Sequence, residues 1–382
     1  MTHHLRTVPT PAAVIDLERL KQNTRKMAAR AHRLGVQLRP HVKTHKCVEA
    51  AQLQAEGHFG GLAVSTLAEA DFFGQRGFDD ITFAVPLAPG RAPLAAQVAA
   101  RLRQLNLVVD HPTAVDAIGE EARRRGQTLS LLIKVDCGYH RAGLLPDDPN
   151  LVRLAQQIHS HTHLNLLGVL AHGGHSYDCV GVQAIRVVAE QERNMAVNAA
   201  AHLRNANLPC PTVSVGSTPT MAVVEDLTGI TEIRPGNYAL FDHFQADIGS
   251  CTPEDIALSV ISEVIGVYPE RSTLLLDAGA LALSKDPGAT HVGKTPGFGR
   301  LCTLDGHPLE GLTLTDLSQE HGKVKGSDVS RFTIGDRLRI LPHHSCLVTA
   351  LHETLYVEQG GAIVDTWQPV RGWSIDDKAP KR

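Results

Sequence analysis

A lysine in a dense polar segment is the first group whose type and setting could do chemistry. Lys43 lies in the segment RPHVKTHK at residues 39–46. A lysine amine that is shielded from water loses affinity for protons, and the neutral amine can attack a carbonyl group to form an imine. Arg39 and Lys46 would act in the same direction through like-charge repulsion. The alternative is a solvated lysine in a polar loop, and Lys43 taken alone does not decide between the two.

Two glycine-containing segments near each other in the chain could bind a phosphate. They are VGSTPT at 215–220, with Gly216, Ser217 and Thr218, and RPGNY at 234–238. Glycine lets the backbone approach a ligand closely, and hydroxyl groups with backbone N–H groups can surround an anion. The same residues also make good turns. Their occurrence after consecutive predicted strands favours the phosphate interpretation.

Two further polar segments follow apolar runs. They are DCGYHRAG at 136–143 and AHGGHSY at 171–177. The flat ring of His172 would suit stacking on a planar cofactor, although a histidine at a strand end is often a structural residue.

A histidine and a cysteine near the C-terminal end could bind a metal. His344 and Cys346 occur in the sequence LPHHSC at 341–346. In an extended segment, side chains two residues apart lie on the same face. An imidazole together with a thiolate suits zinc or a similar borderline cation. The alternative is a buried cysteine beside a chance histidine.

The elements that must position these residues alternate between short apolar runs and helical segments. Strands are predicted at 36–42, 61–65, 80–85, 105–110, 129–136, 164–172, 212–216 and 230–234. Helices are predicted at 17–34, 47–56, 67–75, 92–102, 114–125, 150–159 and 182–204, with a short one at 222–226. Eight strands with intervening helices predict an α/β fold with a (β/α)8 barrel, in which functional residues gather at the carboxyl ends of the strands.

Beyond about residue 250 the pattern changes to strands joined by Gly, Pro and Asp turns. Runs at 257–268, 272–277, 336–341 and 350–357 predict an antiparallel β domain, which the run at 12–16 is expected to join. The predicted domains are therefore a barrel at 17–250 and a β domain made of 1–16 and 251–382.

Composition narrows the functional classes. The formal net charge is -3 over 382 residues, and no basic stripe indicates a nucleic-acid partner. No apolar run is long enough for a membrane span, and none near the N-terminus resembles a signal peptide. Seven scattered cysteines without a CxxC motif favour reduced thiols in the cytoplasm.

Taken together, these motifs resemble the fold-type III pyridoxal 5'-phosphate (PLP) enzymes, the class of alanine racemase. More narrowly, the chain resembles the D-threonine aldolase and D-serine dehydratase family, and within it the D-threo-3-hydroxyaspartate dehydratase branch. The resemblance extends from 10–16 to 371–373. Its most specific stretches are 39–46, 213–220, 232–238, 277–279, 319–322 and 344–346.

The resemblance implies a role for each candidate residue. Lys43 would hold PLP as a Schiff base, and other residues would surround the cofactor. The set implied for the phosphate is Gly216, Ser217, Thr218, Gly236, Asn237 and Tyr238; the set implied for the ring is His172, Arg141, Arg234 and Tyr177. His172 would lie near the pyridine ring, Arg141 near its phenolic oxygen and Arg234 near its nitrogen. His344 and Cys346 would bind a divalent metal, zinc or else manganese, cobalt or magnesium.

The implied activity is that of a lyase acting on a D-β-hydroxy amino acid. Alanine racemases use a second base, a tyrosine, where this chain has the histidine–cysteine pair, and this departure favours lyase chemistry over racemisation. Dehydration of D-serine or D-threo-3-hydroxyaspartate to an oxo acid and ammonia is the first hypothesis. A retro-aldol cleavage to glycine and an aldehyde is the alternative. A non-catalytic PLP-binding protein and a PLP-free metal hydrolase are further alternatives, and a homodimer is expected by resemblance.

Overall fold

The computed structural model describes residues 4–375. Residues 1–3 and 376–382, which belong to the predicted β domain, lie outside the described residues. Between residues 4 and 375 the chain forms two sheets and eleven α-helices. The helices are α1 (Leu17–Arg33), α2 (Val48–Ala55), α3 (Leu67–Gly74), α4 (Ala92–Ala99), α5 (Pro112–Arg125), α6 (Pro149–Ser160), α7 (Val182–Asn205), α8 (Thr218–Val223), α9 (His243–Ile248), α10 (Ala280–Leu283) and α11 (Ser345–Leu351).

The strands divide between the two sheets. In chain order they are β1 (Ala12–Asp16), β2 (Gln37–Leu38), β3 (Leu62–Val64), β4 (Asp80–Pro86), β5 (Gln104–Val109), β6 (Leu129–Lys134), β7 (Leu164–Leu170), β8 (Thr212–Val215), β9 (Glu232–Ile233), β10 (Leu258–Tyr268), β11 (Thr273–Leu276), β12 (Arg300–Cys302), β13 (Leu312–Leu317), β14 (Gly322–Gly326), β15 (Arg337–Leu341), β16 (Leu355–Gln359) and β17 (Ala362–Trp367).

The first sheet is the predicted eight-stranded parallel sheet. Its order is β2-β9-β8-β7-β6-β5-β4-β3, and helices follow most of its strands. Strands such as β6, whose six residues are all buried, read as continuous apolar runs because helices cover the outer face. The predicted barrel architecture of the alanine racemase type is confirmed.

The two edges of this sheet meet where β2 and β3 come together. A single bridge joins His41 to Ala63, and the Ala63 N–H donates to the Pro40 carbonyl at 2.9 Å. Beneath it, the buried guanidinium of Arg39 donates to Glu232 on β9 at 2.6 Å and to Asp80 on β4 at 2.7 Å. Few ladder hydrogen bonds close the barrel here, and the Arg39 ion pairs therefore link the end of β2 both to its neighbour β9 and, across the seam, to β4.

The second sheet is mostly antiparallel. Its main path runs β13-β14-β11-β10-β1-β16-β17, and β15 pairs with β10 and β12. The N-terminal strand β1 lies inside this sheet, antiparallel to β10 on one side and parallel to β16 on the other. The β1–β16 pair is the parallel exception among the ladders of this sheet within residues 4–375.

Three local predictions are wrong. The strand predicted at 36–42 ends at Leu38, and Lys43 lies in a 3-10 helix, Val42–Thr44, that begins where the His41 ring accepts a hydrogen bond from the Lys43 N–H at 3.3 Å. The short helix predicted at 222–226 is α8, which starts at Thr218 because Ser217 and Thr220 form a capping box. The strand predicted at 350–357 is the end of α11 followed by β16.

None of the helices between residues 4 and 375 combines the length and apolar character needed to cross a bilayer.

Candidate active site

A cavity of about 600 Å³ opens at the carboxyl ends of the barrel strands. Loops after the strands line most of it, and the start of α11, which precedes β16 of the second sheet, completes its wall. Twelve of the thirteen residues predicted for the site line this cavity: Lys43, Arg141, His172, Tyr177, Gly216, Ser217, Thr218, Arg234, Gly236, Asn237, His344 and Cys346. Tyr238 does not line it; its side chain is buried in the barrel core, and its backbone N–H donates to Thr218 Oγ1 at 3.2 Å.

Lys43 reaches the cavity from its 3-10 helix. Its side chain is exposed to the cavity, so the expectation that burial desolvates this amine is wrong. The two cations expected to repel it are each paired with acids: Arg39 with Glu232 and Asp80, and Lys46 with Glu69 at 3.1 Å. Lys43 is therefore an accessible amine facing the other predicted residues.

The two glycine-containing segments lie side by side, as expected for an anion site. Gly216 has φ +120°, and a Cβ there would lie 3.0 Å from the Arg234 backbone nitrogen. A Cβ on Gly236 would lie 2.5 Å from the His41 carbonyl oxygen, closer than real Cβ contacts. Helix α8 and a 3-10 helix (Asn237–Ala239) both begin here, and the first amides of a helix have no acceptor within that helix. The close backbone packing, the two helix starts and the hydroxyls of Ser217 and Thr218 thus form a cradle suited to a phosphate.

A buried glutamate that the sequence interpretation missed holds one side of this cradle. Glu192, on α7, is fully buried and accepts hydrogen bonds from the Gly173 N–H at 2.7 Å and the Gly216 N–H at 2.8 Å. Its other oxygen accepts from the Thr220 hydroxyl at 2.9 Å. One carboxylate therefore fixes the loops after β7 and β8 relative to each other. In the sequence, Glu192 is one of many charged residues in an amphipathic segment.

Cationic and imidazole groups make up another wall. The Arg234 guanidinium is buried and donates to Ser214 Oγ and to the Ala171 carbonyl, each at 2.5 Å. Burial, reinforced by the charge on Arg234, lowers the pKa of Lys134 to about 8. Burial and the nearby Lys134 charge lower the pKa of His172, and its Nδ1 donates to the Gly216 carbonyl at 3.3 Å. His172 therefore presents a neutral imidazole whose tautomer is set by that carbonyl.

Lys134 was also missed, although the sequence carries a signal for it. It is 5% exposed and follows the apolar run LSLLI on β6. A lysine almost never lies fully buried without a functional or ionic reason, so its place in an apolar strand was informative. Tyr139 is a further cavity residue that was not singled out, and the Arg141 guanidinium lies 5.1 Å from its ring centre.

His344 and Cys346 face the cavity together, although not for the reason expected. His344 is extended, whereas Cys346 lies in the first turn of α11, so strand alternation does not account for their proximity. Despite burial, hydrogen bonds to Asp286 and Cys346 raise the pKa of His344 to about 11. Burial raises the pKa of Cys346, but the His344 imidazolium and its hydrogen bond outweigh that effect and lower it. Each of the two side chains thus favours the charged form of the other.

The chemistry of this pair fits a divalent cation. His344 Nδ1 lies 2.7 Å from Asp286 Oδ2, which orients the ring and leaves Nε2 for a metal. The Cys346 Sγ hydrogen-bonds with the Thr44 hydroxyl at 3.3 Å. Among the described residues, no cluster of three or more His, Cys, Asp or Glu side chains is arranged to bind a metal. Two protein ligands would leave positions open for substrate, as a catalytic metal requires.

Comparison with known proteins agrees with this geometry. The model of the alanine racemase N-terminal domain matches residues 15–243, and that of a serine dehydratase domain matches 257–358. The chain is 41% identical to the D-threo-3-hydroxyaspartate dehydratase of Delftia sp. (strain HT23), over 98% of this chain and 100% of that protein. It is 33% identical to the D-serine dehydratase of Dictyostelium discoideum, over 95% and 97%.

A solved structure gives the same result in three dimensions. A variant of D-threo-3-hydroxyaspartate dehydratase, described as the metal-free form, superposes with a TM-score of 0.94 at 41% identity and covers 97% of this chain and 100% of that one. The chain therefore belongs to the fold-type III PLP family, in the group that joins an alanine racemase N-terminal domain to a serine dehydratase domain.

Proposed function

We propose that this protein is a PLP- and divalent-metal-dependent lyase that dehydrates a D-β-hydroxy amino acid, D-serine or D-threo-3-hydroxyaspartate, to an oxo acid and ammonia. One observation carries the proposal: a histidine–cysteine pair, an accessible lysine and a phosphate-type cradle all face one cavity of about 600 Å³. The two relatives at 41% and 33% identity are both named as dehydratases, which supports this reaction, whereas relatives named as aldolases share 29% and 24% identity.

The residues present fit PLP. Lys43 would bind the aldehyde carbon of PLP. The cradle would bind its phosphate through Gly216, Ser217, Thr218, Gly236 and Asn237. Tyr238 would support the cradle indirectly, because its backbone N–H donates to the Thr218 hydroxyl. We assign His172, Arg141, Arg234 and Tyr177 to the surroundings of the ring. When bound, PLP supplies an electron sink that stabilises negative charge at Cα of the amino acid.

The chain's own residues then have distinct tasks. Lys43, once its amine is free, removes the α proton of the substrate as a general base. His344 and Cys346 would hold a divalent cation, whose Lewis acidity would polarise the β-hydroxyl of the substrate and favour its departure as hydroxide, or as water once protonated. Asp286 keeps the His344 ring oriented for that role. Racemisation is disfavoured, because it would need a second base, and His344 and Cys346 occupy the place where alanine racemases have their tyrosine.

The experiment is a product assay with the purified enzyme, PLP and a divalent metal. D-serine, D-threo-3-hydroxyaspartate and D-threonine are supplied separately, and ammonia and glycine are measured. Ammonia with oxo acid supports the dehydratase, whereas glycine with an aldehyde would establish the aldolase alternative. Bound PLP with neither product would indicate a non-catalytic PLP-binding protein.

A second measurement tests the cofactor lysine. Borohydride reduction should convert the visible absorbance of the enzyme into a stable peptide label on Lys43. The Lys43→Ala variant should bind PLP without that label, and Lys46→Ala, a matched control, should keep it. A label on another lysine would overturn the assignment, and a colourless protein in the presence of PLP would favour the metal hydrolase.

We also propose the organisation in which the enzyme works. The barrel comprises residues 17–250, and the β domain comprises 1–16 and 251–382. A homodimer is proposed from the family, with light scattering as its test. A cytoplasmic location is proposed because the seven cysteines, all within residues 4–375, are free thiols.

A further inference from the structure

Asp242 connects the two halves of the cavity. It lies at the start of α9, is 1% exposed and contributes to the cavity wall. One of its oxygens, Oδ1, caps α9 by accepting a hydrogen bond from the Gln245 N–H at 3.0 Å. A helix cap alone would explain a carboxylate here, but it would use this one oxygen only.

The other oxygen of Asp242 binds groups from two separate parts of the site. Oδ2 accepts from Asn237 Nδ2 at 2.7 Å, and it accepts from Ser345 through both its backbone N–H at 3.0 Å and its hydroxyl at 3.1 Å. Asn237 Nδ2 also donates to Ser345 Oγ at 2.9 Å. All three side chains are buried, so water does not substitute for these bonds.

The partners of Oδ2 place this network between the two proposed ligands. Asn237 begins the 3-10 helix of the phosphate cradle. Ser345 lies between His344 and Cys346, and it begins α11. Any shift of Ser345 moves the metal pair, and any shift of Asn237 moves the cradle. A buried carboxylate that holds both in one arrangement is stabilised only while all of its donors remain in place.

We propose that Asp242 is a positioning residue that couples the metal site to the cofactor site, so that binding of one ligand strengthens binding of the other. The inference rests on the proposed function, since it requires that the cradle binds PLP and that the pair binds a cation. Binding of either ligand fixes the position of Asn237 or of Ser345. Because both residues donate to Asp242, fixing one of them also restricts the position of the other. The coupling must be reciprocal, with the same factor in both directions.

The test measures four dissociation constants rather than activity. Zn²⁺ affinity is determined by competition with a chromophoric chelator, in PLP-loaded and PLP-free protein. PLP affinity is determined by fluorescence, with and without Zn²⁺. In the wild type each ligand should strengthen the other by about fivefold or more. In Asp242→Asn the factor should fall below about twofold, because an amide presents one acceptor oxygen and cannot satisfy both the cap and the bridge.

A matched control separates coupling from helix capping. Asp148 caps α6 through a hydrogen bond from the Asn150 N–H at 2.8 Å, and it does not line the cavity. Asp148→Asn should therefore keep the wild-type coupling factor. If Asp242→Asn does not fold, Ser345→Ala removes one donor of the same network and should reduce the coupling as well.

The outcomes are distinguishable. Unchanged coupling in Asp242→Asn, with both affinities lowered by equal factors, would reduce Asp242 to a structural residue and overturn the inference. Wild-type protein that binds both ligands without mutual strengthening would also overturn it, while leaving the proposed function intact. Wild-type protein that binds no Zn²⁺ at the pair would overturn the proposed function itself.

Discussion

Glu192 offers a direct test of how the phosphate cradle is held. Replacing it with glutamine keeps the size of the side chain and one acceptor oxygen, but it removes the charge. The two amides of Gly173 and Gly216 would then donate to a neutral oxygen in place of a carboxylate. The Thr220 hydroxyl can rotate and accept a hydrogen bond from the new amide group, so the bond between residues 192 and 220 is weakened little.

The magnitude follows from the two amide bonds. A hydrogen bond to a charged group contributes about 1.5–3 kcal/mol, against about 0.5–1.5 kcal/mol for a neutral one. The difference is about 1 kcal/mol per amide and about 2 kcal/mol for both. If cofactor binding must restore the cradle, the dissociation constant of PLP rises by about 30-fold, since each 1.4 kcal/mol is a factor of ten.

The assay is a fluorescence titration of PLP into protein stripped of cofactor with hydroxylamine. Glu190→Gln is the matched control, because Glu190 is exposed on the same helix and should bind PLP within about twofold of the wild type. An affinity of Glu192→Gln within twofold of the wild type would refute the view that this carboxylate organises the cradle.

Two further predictions concern buried charges elsewhere in the barrel. Arg39→Met should lower the free energy of unfolding by about 3–5 kcal/mol, because it leaves the buried carboxylate of Glu232 without its cation and removes one of the two cations paired with Asp80. In urea denaturation the control Arg123→Met, which breaks an exposed pair with Glu120, should change this free energy only slightly, and equal effects of the two variants would contradict the closure role of Arg39. Burial, with the charge of a nearby arginine, lowers the pKa of Lys134 to about 8 from 10.5, so between those values the unfolded chain holds a proton that the folded chain has released. In cofactor-free protein the free energy of unfolding of the wild type should therefore rise by up to about 3 kcal/mol, relative to that of Lys134→Met, as pH rises through this window. No such relative rise between pH 7 and pH 10 would contradict the lowered pKa of Lys134.

Much of the fold followed from local patterns. The strands of the barrel are buried on both faces, so they read as apolar runs, and helices such as α5 begin at a proline and end before a glycine in the left-handed region. Errors arose where short segments turn. At Lys43 the chain leaves the strand after Leu38, and at Ser217 a capping box starts α8 earlier than its apolar residues suggested.

The site was predictable where residues carry their own chemical signature. Lys43, the glycines and the His344–Cys346 pair are distinctive in type and spacing. Glu192 and Asp242 are not, because their importance comes from distant donors such as Gly173, which lies 19 residues from Glu192, and Ser345, which lies 103 residues from Asp242. Such contacts exist only in the folded protein, so no local pattern indicates them.

The place of β1 also governs how the chain assembles during synthesis. This strand is made before either of its neighbours, since β10 begins at Leu258 and β16 at Leu355. At about 5–20 residues per second, its apolar side chains wait on the order of tens of seconds for the last partner. The barrel can form in that interval. The wall that carries the cysteine and histidine is thus added to a nearly finished cavity, shortly before β1, the first strand made, pairs with β16, which β17 alone follows among the strands of residues 4–375.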